Sequence, residues 1–441
     1  MDGELTPEPL VNMASADTAA RMARTEVTTL MVPHQVHRTG VRRGLLEDLA
    51  LKILYSHGEM SLLEMSERTC LSLGVIEEIF QFFRKEQLCE VKRMQAGSHV
   101  IVASGQGKQR AAELMSISQY TGPAPVSLAD YTMRVGMQSV QKIAVKPQDV
   151  ARAFYQMVLD QDLLNRVGTA LVSGTSMFLH GPSGTGKTSI ATTIPAVYDD
   201  SVWIPHAVVV DNQIMSVYDP GVHFPSSVDV AGESDRRWVL CQRPCVLAGG
   251  ELSAEMLDLQ FNGISRFYTA PLQMKANNGI LILDDFGRQR MRPDELLNRW
   301  MTPLDRRVDF FTLPGGRKFE VPFDLFIVFS TNLDPTQLAD EAFLRRIPNK
   351  IGVDYATREQ FIEIFKHECQ NRLVPCDEGV PEYVVQCLRD MRQSLAQCHA
   401  RDLINQIFWA AKYAGVEPRI TARSVEQACR AHFLPVGKRH G

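Results

Sequence analysis

The segment that constrains this chain most is Gly181-Pro182-Ser183-Gly184-Thr185-Gly186-Lys187-Thr188, which satisfies G-x-x-x-x-G-K-[ST] at every fixed position. Met177-Phe178-Leu179 supplies an apolar strand before it, and Ser189-Ile190-Ala191 begins a helix after it. Glycines let the backbone curl so that successive N–H groups point inward at phosphate oxygens, and the positive end of the following helix faces the same place. In this reading Gly181 to Ser189 cradle a polyphosphate, Lys187 reaches the β- and γ-phosphates, and the Thr188 hydroxyl is a ligand for Mg2+.

A second run, Gly279-Ile280-Leu281-Ile282-Leu283-Asp284-Asp285, is an apolar strand that ends in two carboxylates. It looks like a Walker B element. Asp284 would hold Mg2+ through its water shell, and Asp285 would polarise the water attacking the γ-phosphorus. The second position is more often Glu in such enzymes. Asp is one methylene shorter, so the water must sit closer or be relayed, and slow turnover or binding without hydrolysis stays open.

Joined to Phe326-Ile327-Val328-Phe329-Ser330-Thr331-Asn332, another apolar strand ending in a polar amide, the sequence resembles the AAA+ ATPases from about Asp149 to His432. Asn332 matches their sensor 1, which in that family lies between the two motif strands and orients the lytic water; a loop-capping Asn is the structural alternative. Asp340-Glu341-Ala342-Phe343-Leu344-Arg345-Arg346-Ile347-Pro348 looks like the segment carrying the arginine finger, which reaches into a neighbouring subunit's nucleotide. The resemblance puts Arg346 first and Arg345 second, with a surface ion pair as the alternative for either; a guanidinium suits the task because it is always charged. His399-Ala400-Arg401-Asp402-Leu403 is similar to sensor 2, implying that Arg401 contacts the γ-phosphate from a lid. Asp309-Phe310-Phe311 and Phe319-Glu320-Val321 around Pro314-Gly315-Gly316 resemble the hairpin of the MoxR-like branch. Ser183 departs from the pattern, standing where many such loops carry a second Pro.

The fold class implied is α/β: a P-loop NTPase core of AAA+ type with a parallel sheet, a C-terminal helical lid and an N-terminal winged helix. Short apolar runs at 177–179, 207–210, 280–283, 325–329 and 350–353 read as strands of a parallel sheet covered on both faces. Residues 1–40 read as a disordered tail. Residues 41–120 follow as a winged-helix-like domain, with a helix ended by Gly58, one capped by Ser61 with Glu64, one carrying Val75, Ile79 and Phe82, and a hairpin turning at Ala96-Gly97. A Pro-rich linker spans 121–148, the core 149–364 and the lid 365–441. The stretch from Asp199 to Asn278 exceeds what a minimal core needs and is read as an insertion or substrate-facing loop.

With 441 residues, 45% hydrophobic and 22% charged, the chain has the composition of a soluble protein of two or three domains. No apolar run is long enough to cross a bilayer and the N-terminus lacks a secretory pattern, so a cytoplasmic location is the expectation. The nine cysteines lack the tight pairs of a zinc site and read as reduced core residues. A net charge of −4 gives no global attraction to nucleic acid. The would-be recognition helix begins with Glu77 and Glu78, which face phosphates unfavourably and favour a protein contact. Three readings follow. The first is a ring-forming, hexameric, chaperone-like homo-oligomer that uses ATP and Mg2+ to remodel an unknown protein substrate. The others are a DNA-associated ATPase and a hydrolysis-poor, ATP-gated scaffold.

Overall fold

The computed structural model describes residues 30–433 except 96, 229–232, 314–315 and 339. Most of the expected tail, residues 1–29, lies outside the described residues. Residues 30–40 are not a tail. Val36 and Thr39 are buried, Leu30 O accepts from Asp235 N at 3.2 Å, and Pro33 O accepts from Ser72 Oγ at 2.7 Å.

The N-terminal unit holds helices Arg43–His57, Leu62–Thr69 and Leu73–Lys85. Gly58 ends the first at φ 82°, and Ser61 and Glu64 form the reciprocal capping box of the second. Strand Ser98–Ala103 pairs antiparallel with both Glu59–Ser61 and Cys89–Gln95. Leu46, Ile53, Met65, Val75, Ile79, Phe83 and Ile101 form one core. A helix not foreseen in the sequence, Gly105–Ile117, closes this unit with little apolar patterning; it fits because Gly107 lies against the Leu88 carbonyl, where a Cβ would come within 2.0 Å.

The expected linker is part of a β-rich unit. Val126–Ser127 pairs in parallel with Ala207–Val210, followed by helix Leu128–Met137. Gln138 then donates from Nε2 to Trp203 O and Asn278 Oδ1, both at 2.9 Å, while Asp324 accepts from Ser139 Oγ at 2.8 Å and Asn278 Nδ2 at 2.6 Å. Buried polar groups satisfied this way fix the segment in place. The stretch 199–278 supplies the rest of this unit: Ala207–Val210 and Gln213–Ser216 form an antiparallel pair, and Ser201–Pro205 pairs with Trp238–Gln242.

The central sheet is parallel, in the order Cys245–Ala248, Ile280–Leu283, Phe326–Thr331, Ser176–His180, Asn349–Gly352. The run at 207–210, expected in this sheet, lies outside it, and Cys245–Ala248 takes the edge position. The run reads as continuously apolar because both its faces are covered: Ala207 joins the N-terminal core, and Val208 and Val210 join the core around Trp203 and Trp238. Hairpin Val308–Thr312/Lys318–Pro322 forms as expected, its Pro314-Gly315 turn lying outside the described residues. Helices Arg358–Asn371, Val380–Asp390, Gln397–Ala414 and Ala422–His432 share one core containing Phe361, Phe365, Leu388, Leu403 and Val425. The boundary expected at 364 therefore cuts a single helix whose Phe361 and Phe365 pack together. Among the described residues no helix is long and apolar enough to cross a membrane.

In the β-rich unit His223 is buried, accepting at Nδ1 from Asp219 N at 2.9 Å and donating from Nε2 to Lys275 O at 2.8 Å. Burial pushes its pKa below the usual imidazole range. The unfolded chain then binds the extra proton first as pH falls, so this contribution is present above the unfolded pKa and is lost on acidification through the folded one. Urea unfolding at pH 7.5, 6.5 and 5.5 should show declining stability. His223→Gln should be about 1–3 kcal/mol less stable at pH 7.5 and decline less steeply.

Candidate functional site

The glycine-rich loop joins strand Ser176–His180 to helix Lys187–Thr193. Gly181, Gly184 and Gly186 have φ of 141°, 78° and 86°, conformations closed to most side chains. Space enforces the same choice: a Cβ on Gly181 would lie 2.2 Å from Val353 O, one on Gly184 2.6 Å from Cys398 Sγ, and one on Gly186 2.5 Å from Gln397 Oε1. The lid therefore touches the loop directly, and Cys398 N donates to Gly184 O at 3.1 Å.

Lys187 is buried, and its Nζ donates to Pro182 O at 2.6 Å. Thr185 Oγ1 donates to the same carbonyl at 3.0 Å, tying the loop to itself. Burial lowers the Lys187 pKa, opposed by the carboxylates of Asp284 and Asp285. Thr188 Oγ1 lies 2.9 and 3.1 Å from the two oxygens of Asp284, a hydroxyl and a carboxylate of the hard-oxygen type that suits a small divalent cation. Asn332, just past the central strand, donates from Nδ2 to Asp285 Oδ1 at 3.2 Å. Asp285 itself has φ 49°, and Phe286 N donates to Ser330 O at 2.7 Å, holding the turn against the neighbouring strand.

One cleft of about 580 Å³ is lined by Ser183, Gly184, Gly186, Lys187, Thr188 and Ser189, together with Asp284, Asp285, Asn332 and Arg401. Gly181, Pro182 and Thr185 belong to the loop but do not line the cleft. Arg401 pairs with Asp402 at 3.3 Å and is largely exposed. Arg345 and Arg346 do not line this cleft. Arg346 Nε lies 2.8 Å from Asp305 and its Nη1 donates to Ala342 O at 2.8 Å, whereas Arg345 makes an exposed ion pair with Glu341 at 2.8 Å.

Part of the lining escaped the sequence reading. Gln156, Met157 and Val158 come from the stretch between helices Pro147–Ala153 and Gln161–Ser173. Ile364, His367, Glu368 and Asn371 form one stripe of the first lid helix. Their i, i+3, i+4, i+7 spacing marks a face, but three polar members read as a face turned to water.

A family model described as "Domain of unknown function (DUF8689)" matches residues 357–431, which spans the four C-terminal helices. No curated protein matches the chain. Among solved structures, the chain is similar to the RuvB Holliday junction branch migration motor of Thermotoga maritima at 13% identity, covering 62% of this chain and 69% of that one with a TM-score of 0.36. It is also similar to NtrX from Brucella abortus at 15% identity, covering 83% of this chain and 64% of that one with a TM-score of 0.38.

Gly184→Ala tests the contact between lid and loop. The left-handed backbone alone should cost about 1–2 kcal/mol in urea unfolding, and the methyl should push Cys398 away, seen as faster proteolysis within residues 357–433 than in the wild type.

Proposed function

We propose that this chain is an AAA+ ATPase that couples Mg-ATP binding and hydrolysis to the remodelling of a protein or protein complex, acting as a homo-oligomeric ring. The observation that carries the reading is the convergence of Lys187, Thr188, Asp284, Asp285 and Asn332 on one cleft from three adjacent parallel strands. The residues fit a nucleoside triphosphate and its metal: glycines open the loop to phosphate, Lys187 supplies positive charge, and Thr188 and Asp284 present oxygen ligands. A magnesium ion held there would offset charge on the β- and γ-phosphate oxygens.

Hydrolysis needs a water deprotonated or polarised as it attacks phosphorus. Asp285 is the carboxylate for this, a role worth roughly 10²–10⁴ in rate. Its partner Asn332 fixes one oxygen, so the other is free for the water. Arg401 from the lid adds positive charge over the phosphates. Arg346, with Arg345 second, completes a neighbouring protomer's site; both lying off their own chain's cleft supports action on another copy. A ring, six-membered in this reading, follows from such head-to-tail sharing.

The N-terminal unit serves as a winged-helix-like adaptor for protein. The start of its helix Leu73–Lys85 is overlaid by the chain's own segment: Ser72 Oγ donates to Pro33 O at 2.7 Å, Val36 N donates to Glu78 Oε1 at 3.4 Å, and a Cβ on Gly74 would meet His34 O at 2.6 Å. That end is unsuited to entering a DNA groove.

Calorimetry should show that Lys187→Ala abolishes Mg-ATP binding, while Arg346→Ala binds normally yet loses at least about a hundredfold in phosphate release. Mixing Arg346→Ala with Asp285→Asn protomers should restore part of the activity, because some interfaces regain both halves. Mixed rings without recovery would remove Arg346 from the role.

A further inference from the structure

The two ends of the cleft differ in chemistry. At one end lie the glycine loop, Lys187 and the carboxylates, with Arg401 joining them on the helix whose Gln397 and Cys398 touch Gly184 and Gly186. The remainder is lined by Gln156, Met157 and Val158 on the core side and by Ile364, His367, Glu368 and Asn371 on the lid side, and the Gln156 amide Nε2 is already engaged with the Tyr155 hydroxyl at 2.6 Å. The triphosphate occupies the cationic end, so the base of a nucleotide falls to the other. Met157, Val158 and Ile364 give it apolar surface.

We propose that Asn371, oriented by His367, selects adenine over guanine in this cleft, an inference that rests on the nucleotide reading above. Asn371 Nδ2 donates to His367 Nδ1 at 3.4 Å. That contact uses one amide N–H and leaves the second N–H beside Oδ1, a donor next to an acceptor. Adenine presents the complement, an N6 amino donor and an N7 acceptor, which pairs bidentately with an Asn or Gln amide; guanine presents two acceptors, O6 and N7, which call for Arg or Lys. The lining offers no cation for them at that end, since Lys187 and Arg401 belong to the phosphate end. Glu368, the remaining charged member of the stripe, is an acceptor engaged by Arg372 Nε at 2.8 Å. Asn371 is exposed on its helix, while Phe361 and Phe365 carry the lid core, so replacing it leaves that core intact.

Titration calorimetry on the full chain with Mg-ATP, Mg-GTP and Mg-tripolyphosphate tests the assignment. The wild type should bind ATP at least about tenfold more tightly than GTP. Asn371→Ala should weaken ATP about tenfold, leave tripolyphosphate within about twofold and bring ATP and GTP together. His367→Ala should move the same ratio in the same direction by less, and Asn371→Arg should shift it toward GTP. Equal wild-type affinities, an unchanged ratio in Asn371→Ala, or an equal loss of ATP and tripolyphosphate would each overturn the selectivity role. A wild type that gives no heat with any of the three overturns the nucleotide reading itself, and this inference with it.

Discussion

The structure turns on the absence of three β-carbons. A loop that presents N–H groups inward must pass through left-handed backbone, and at Gly181, Gly184 and Gly186 each position is also where another element comes closest. Gly181 abuts Val353 beyond the last core strand, Gly184 abuts Cys398 and Ala396, and Gly186 abuts Gln397. The same small residues that let the backbone curl also let the core sheet and the lid meet at the loop. The loop and the start of the lid's third helix are thus in direct contact, with no intermediary residue.

What was legible in the sequence follows from this. Gly181 to Thr188, the run to Asp285 and the run to Asn332 each join a strongly apolar strand to a fixed polar terminus, and local pattern suffices for such units. The capping box at Ser61 and Glu64 was legible for the same reason. The β-rich unit was not. Its strand Val126–Ser127 is two residues long, and its order is set by pairing partners distant in the chain, as when Val126 meets Val208. Ala207–Val210 is apolar on both faces, which periodicity cannot tell from a strand of the central sheet. The Gln156–Val158 and Ile364–Asn371 sides of the cleft carry no motif because they act through position: each contributes ordinary side chains that tertiary packing brings opposite the loop.

The N-terminal and β-rich units are fastened rather than tethered. Ala207 and Ile214 sit in the same core as Leu46 and Phe83. Arg237, buried and paired with Asp235 at 2.7 Å, donates from Nη1 to Thr39 O at 2.8 Å and to Pro125 O at 3.3 Å, so one guanidinium spans three segments. Arg243, paired with Asp200 at 2.6 Å, donates to Gln138 O at 3.0 Å and to Asn278 O, tying the unit to the residue that precedes Gly279 and strand Ile280–Leu283. Buried charges held this way are costly to separate, because breaking one contact strands the others away from water. Motion within one protomer is therefore more readily placed between lid and core, which meet at the loop and at the cleft, than between the core and the units built onto its other end.

The departure at Asp285 has a local explanation. The residue lies immediately after a strand, in a turn with φ 49°, and Phe286 N on Ser330 O and Thr331 Oγ1 on Phe286 O at 2.7 Å lock that turn to the neighbouring strand. Left-handed backbone disfavours most side chains, and Asp and Asn are among the few non-glycine residues enriched there. Glu would carry its carboxylate farther but would lose that local preference. The shorter acid is thus the one the local backbone favours in the turn that places it beside Asn332. The position of its carboxylate is set by this backbone geometry as much as by side-chain length.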